Sequence, residues 1–172
     1  MSCLGVHFAL TPDEVSQLRS FESDDERLAH LQEVIEEDYL SEENQLAVES
    51  DRAWDAMHRI LSDGKLTWDG GNFPLNHVVL AGDLLYFGSD YIMSLKTPEQ
   101  VKAIAEALST VSFADFKSRY FSIDAEDYGF PLTDDDLSYT WEWFQGVREF
   151  IQLRPNISVM FYLPRINSCS RR

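Results

Sequence analysis

The two ends of this chain are its most strand-like segments, and that constrains the fold more than any other feature. From Leu4 to Leu10, Val6, Phe8 and Leu10 alternate with Gly5, His7 and Ala9, the period of two expected of a strand. Ile157 to Leu163 is a second dense apolar run of strand length. Everything between them must leave a sheet and return to it. Most of that intervening chain reads as helix. Thr11-Pro12-Asp13-Glu14, Ser23-Asp24-Asp25-Glu26 and Thr97-Pro98-Glu99-Gln100 are capping boxes: a hydroxyl accepts from a first-turn amide while a Glu or Gln three residues on reaches back.

The first box opens a short helix. The second opens a longer one through Tyr39, with Leu28, Leu31, Val34 and Ile35 as its apolar stripe. Ser41 to Glu49 is polar and reads as a loop. Ser50-Asp51 is expected to start a helix burying Ala53, Trp54, Met57, Ile60 and Leu61, closed by a left-handed Gly64. Short strands are expected at His77–Leu80 and Tyr91–Leu95. The third box then opens a helix to Leu108, and Ser112 to Tyr120 forms another. Asp124 to Leu132 reads as a loop, and Thr133 caps a final helix through Trp141, Phe144, Val147 and Phe150. Terminal strands around clustered helices, without regular strand–helix–strand alternation, indicate an α+β fold. The expectation is a single compact domain over residues 1–163, with a short mixed or antiparallel sheet that includes both terminal strands. Residues 164–172, with Arg165, Arg171 and Arg172, form a basic C-terminal tail expected to be loosely ordered.

Charge excludes whole classes of partner. Fourteen Lys and Arg stand against 30 Asp and Glu, a formal net charge of -16. Nucleic acid and anionic membrane both reward cations, so neither is an expected partner. The acid is uneven: Glu22 to Asp55 holds thirteen carboxylates against Arg27 and Arg52, and Ser122 to Glu142 holds seven with no basic residue. Some of these sit at helix N-termini, where the dipole favours them. The remainder suits a basic protein partner, which it would steer. The oligomeric state is not legible.

Cys3 and Cys169 are the only cysteines, too sparse for a disulfide framework. Two free thiols in a reducing cytoplasm are expected; a Cys3–Cys169 bridge requires the two ends to meet. The N-terminal residues lack the basic segment of a signal peptide, and no stretch approaches the roughly 20 apolar residues of a membrane helix. The expected location is the cytoplasm.

Known catalytic templates do not fit. There is no Gly-x-Ser-x-Gly, no glycine-rich phosphate loop, no Cys-x-x-Cys and no His-x-x-x-His. Asp124, Glu126, Gly129 and Asp135 fall in a calcium-loop register, but Tyr128 stands where an oxygen ligand is needed and Asp135 is too short for the last position. No metal and no cofactor is expected. One constellation could form a pocket: Asp51, Trp54, Asp55 and His58 on one predicted helix, with His7, Asn76 and His77 on strands able to neighbour each other. A carboxylate beside a histidine can perform acid–base work, so an enzyme or small-molecule binder using a cleft near His58 and His77 is the alternative to an interaction protein. Tyr139 and Trp143, off the apolar seam of the last helix, are candidate interface anchors.

Several stretches together resemble one family. They are residues 1–10, Glu49 to His58 with its Asp51-x-x-Trp54-x-x-x-His58 pattern, Pro74 to Leu80, Ser94 to Val101, and Tyr139 to Phe144. They are similar to the YfbM-like bacterial proteins, a domain of unknown function. The resemblance runs to about Leu163 and leaves out the tail. It implies a compact α+β domain in the bacterial cytoplasm and brings no activity, cofactor or catalytic residue with it.

Overall fold

Residues 3–39 and 45–164 are described in a computed structural model of the chain. The two terminal strands lie side by side. β1 (Gly5–Leu10) pairs antiparallel with β5 (Ser158–Leu163), Phe8 opposite Met160, at the centre of a five-stranded sheet. β2 (Ala47–Asp51) flanks β1, while β4 (Ile92–Lys96) and the two-residue β3 (Asp83–Leu84) complete the other side, giving the order β2-β1-β5-β4-β3. Every pairing is antiparallel.

All six residues of both β1 and β5 are buried, so neither face of the central sheet meets water. The period of two divides them. Val6, Phe8, Leu10, Met93, Leu95, Met160 and Tyr162 point to one face. There they pack on Leu18 of α1 (Pro12–Ser20), on Tyr39 of α3 (Glu36–Tyr39), and on Leu31 and Ile35 between α3 and the preceding α2 (Asp24–His30). Ala9, Val159, Phe161 and Leu163 point to the other face, under α4 (Trp54–Leu61), α5 (Pro98–Leu108), α6 (Phe113–Tyr120) and α8 (Asp134–Gln152). The chain is a single compact α+β domain with helices on both sides of the sheet.

The three capping boxes form as read, with Thr11, Ser23 and Thr97 accepting from the amides of Glu14, Glu26 and Gln100. Gly64 closes α4 at φ +85°, its amide donating to Arg59 O. Elsewhere tertiary contacts override the local reading. The helix through Tyr39 is interrupted by a π turn at Leu31–Ile35; the extra residue per turn keeps Leu31 and Ile35 buried and leaves Val34 46% exposed. Ala47 to Asp51 is a strand rather than loop and helix start. The Ser50 hydroxyl donates across the sheet to Gly5 O (3.1 Å) instead of capping a helix, and α4 begins at Trp54 with no side-chain cap. Within Asp124–Leu132, Asp124 caps one helical turn, α7 (Ala125–Tyr128), by accepting from the amides of Glu126 and Asp127.

The expected strand at His77–Leu80 is absent. Residues 66–82 instead form an irregular strap, with one 3-10 turn at Leu75–His77, that crosses the α4 and α5 side of the sheet without joining it and is buried from Val78 to Ala81. The strap ends in two left-handed residues, Ala81 (φ +59°) and Gly82 (φ +72°), a conformation a strand cannot continue through. A Cβ on Gly82 would stand 2.5 Å from Leu95 O, so the chain passes β4 closely enough to need glycine on two counts. Cys3 does not stand as the free thiol expected of it. Cys169 and the basic tail from Arg165 onward lie outside the described residues, as does the part of the expected polar loop up to Asn44. Gly82→Ala is expected to lower the unfolding free energy by more than about 1 kcal/mol, measured by urea denaturation; an unchanged midpoint would contradict this close approach.

Candidate functional site

The seven candidate pocket residues separate into three environments. Asp51, at φ +46° where β2 ends, accepts from the Tyr139 hydroxyl; burial and that bond push the Tyr139 phenol up to about 12. Trp143 packs edge-on against Tyr139 at 6.3 Å, so both proposed anchors sit on α8 beside the end of β2. Trp54 donates from Nε1 to Cys3 O (3.2 Å) and packs on Phe161.

Asp55 belongs to a second group. It accepts from Arg59 Nε at 2.6 Å, one helical turn on, and Arg59 Nη1 bridges to Asp127. The guanidinium lies over the Tyr128 ring, and Tyr128 and Tyr120 both donate to Asp136 Oδ2 (3.1 and 2.6 Å). Burial holds the Asp55 carboxyl above its usual range, opposed by the Arg59 bond. Arg59, itself only 4% exposed, is thus the cation on which a cluster of carboxylates depends.

The histidines form the third group, and here the structure gathers what the sequence left scattered. His7 on β1, His58 on α4 and His77 in the strap all feel the charge of one lysine, Lys96 on β4, whose ammonium is buried. Each side chain holds a backbone carbonyl or its own neighbour. His7 Nε2–H donates to Val78 O (3.2 Å) and His58 Nε2–H donates to Thr67 O (2.7 Å). Lys96 Nζ donates to Val79 O, to Ser94 O (3.3 Å) and to Ser94 Oγ (2.6 Å), and Ser94 in turn donates to Ala81 O. His77 Nδ1–H donates to Asn76 Oδ1 (2.7 Å), and Asn76 Nδ2 donates to Asp69 O (3.4 Å). With Nε2 carrying the proton, Nδ1 of His7 and of His58 is a bare lone pair, buried with no hydrogen-bond partner.

Electrostatics agree with neutral rings. Burial, reinforced by Lys96, pulls the His7 imidazole down to about 3, against the opposing bond to Val78. Burial also lowers His58 and His77, and drives Lys96 well below the ordinary lysine range. The three imidazoles are held where their charged forms are disfavoured.

Lys96 and Ser94 escape a reading of the sequence because they close an otherwise apolar strand. The available signal was their spacing of two, which puts both on the face opposite Met93 and Leu95. None of the seven candidates lines the polar cleft of about 280 Å³ between the end of α4 and α6, which is bordered by Arg59, Ser62, Asp63, Ser118, Arg119 and Ser122.

Residues 1–162 match the family model described as a domain of unknown function, DUF1877, and the chain belongs to that family. The fold is similar to that of a solved structure, "a Protein of Unknown Function YfbM from Escherichia coli", with a TM-score of 0.59 and 15% identity. The alignment covers 93% of this chain and 99% of that one. No curated protein matches the sequence.

Arg59→Leu is expected to destabilise the fold by about 3 kcal/mol at pH 7, because it strands carboxylates around a partly buried site. Without its partner, Asp55 keeps a folded pKa above its unfolded value. The variant therefore recovers stability as pH falls and loses it as pH rises through that folded pKa. Chemical denaturation at pH 4.5 and 7 checks this; an equal deficit at both values would contradict it.

Proposed function

We propose that this member of the DUF1877 family is a non-enzymatic interaction protein whose carboxylate-rich surface engages a basic protein partner. The observation that carries this reading is the orientation of Arg27. Between Asp24 and Tyr39 the sequence has seven carboxylates, and its basic residues are Arg27 and His30. The Arg27 guanidinium is turned inward, donating to Leu18 O (2.8 Å), Leu85 O (2.7 Å) and Phe21 O (2.6 Å) as well as to Asp24. Its charge is spent beneath the helices, so Asp25, Glu26, Glu33 and Glu37 face solvent with little local compensation. A surface of one sign raises association rates with partners of the other sign, in a manner that salt suppresses.

The alternative, a small-molecule site near His58 and His77, is favoured by the one buried lysine, Lys96, whose charge both rings feel. Against it, the donor nitrogens of His7, His58 and His77 are already bound to carbonyl oxygens. Hence the surface reading is preferred.

The triple substitution Asp25→Lys, Glu33→Lys, Glu37→Lys changes exposed positions and should leave the thermal midpoint within a few degrees of the parent. Binding of a partner captured at low salt is expected to fall at least tenfold with this variant, and also when salt is raised to about 0.5 M. Capture that ignores both changes, or no capture at all, would overturn the proposal.

A further inference from the structure

We propose that residues 66–82 form an acid-released strap: protonation of His7 and His58 detaches it from the side of the sheet that α4 and α5 cover while the five strands remain paired. The attachment points are four carbonyls. Thr67 O and Val78 O are held by imidazole Nε2–H groups, and Val79 O and Ala81 O by Lys96 and Ser94. Both imidazoles are fully used as neutral donors, and each has a buried Nδ1 with no partner. A second proton must go to that nitrogen, which places an N–H donor and a full charge where no acceptor waits.

The groups facing these rings offer no compensation to His7. Lys96 from β4 opposes protonation of His7, His58 and His77 alike. From α4 Arg59 adds to that opposition at His58, and Asp63, just beyond the helix, is the carboxylate that favours it there. Beside His7, β5 contributes Phe161 (ring centroids 5.0 Å apart) and β2 contributes Val48, neither of which can accept a proton. Protonation is accommodated by release of the strap, which gives both rings to water.

The strap is held by side-chain donors and by the packing of Val78, Val79 and Leu80 in the core rather than by strand pairing. It ends at the left-handed Ala81 and Gly82, and its own amide bonds are short-range: Asn76 to Asn72 O, His77 to Pro74 O and Val78 to Leu75 O. The sheet hydrogen bonds below it do not involve a titrating group. Linkage sets the sign. Each ring that leaves regains an ordinary pKa near 6.5, so the opening equilibrium binds protons and is favoured as pH falls below that value. From pH 7.5 to 5.0 the opening constant rises up to roughly thirtyfold for each histidine released.

Native-state hydrogen exchange of the full chain tests this, with rates corrected for the intrinsic pH dependence. Between pH 7.5 and 5.0, protection of the Asn76, His77 and Val78 amides is expected to drop at least tenfold more than that of Phe8 and Met160 in the central strands. His58→Gln and His7→Gln keep an N–H donor but cannot titrate, so each should flatten the strap's pH dependence, by as much as roughly thirtyfold. If His7→Gln does not fold, the parent chain and His58→Gln decide the matter. Strap amides that stay protected at pH 5.0, or that lose protection only in step with the strands, would overturn the proposal.

Discussion

Three carbonyl oxygens, those of Val78, Val79 and Ala81, make the strongest demand on this structure. They belong to an irregular segment buried as deeply as any strand, yet they have no strand beside them to supply amide donors. A buried carbonyl left unpaired costs about 1–3 kcal/mol, so the fold must supply side-chain donors from below. His7, Lys96 and, through it, Ser94 are those donors. The demand explains why polar side chains occupy one face of β1 and β4 amid apolar neighbours. It also explains why α4 and α5 can pack over a segment that forms no regular structure.

The same logic accounts for where the scarce cations go. Arg27 and Lys96 both point inward and hold backbone carbonyls, Arg27 at Leu18, Phe21 and Leu85, Lys96 at Val79 and Ser94. Arg59 is likewise buried and binds Asp55 and Asp127. In a chain with 14 basic residues against 30 acidic ones, each cation used inside deepens the imbalance outside. The anionic surface and the polar interior are therefore two consequences of one allocation. The histidines carry it further: neutral imidazoles can donate from one nitrogen without bringing a charge into the core, at the expense of an idle lone pair on the other.

How much of this was legible depended on whether the signal was local. The capping boxes at Thr11, Ser23 and Thr97 were readable because a hydroxyl, a first-turn amide and a Glu or Gln lie within four residues of one another. Ser50 misled for the opposite reason: it has the chemistry of a cap, and a carbonyl 45 residues away claimed it. Val78-Val79-Leu80 has the composition of a strand, but the left-handed pair Ala81-Gly82 and the side-chain donors beneath it made a strap. Among the candidate residues, His7, His58 and His77 do share one region, whereas Asp51 and Asp55 serve Tyr139 and Arg59. Lys96, the group that joins the histidines, was hidden in an apolar strand where a lone lysine reads as a strand end.

Periodicity, capping chemistry and composition were enough for the α+β class, the membership of the two terminal strands in the sheet, most helix starts and the sign of the charge excess, because each of these is written within a few neighbouring residues or in the totals. The existence of β2, the placing of the strap on the sheet rather than in it, and the placing of His7 and Lys96 against the strap's carbonyls came from long-range packing. Those outcomes rest on which distant carbonyl lacks a donor and which side chain can reach it. That is settled only when the layers pack.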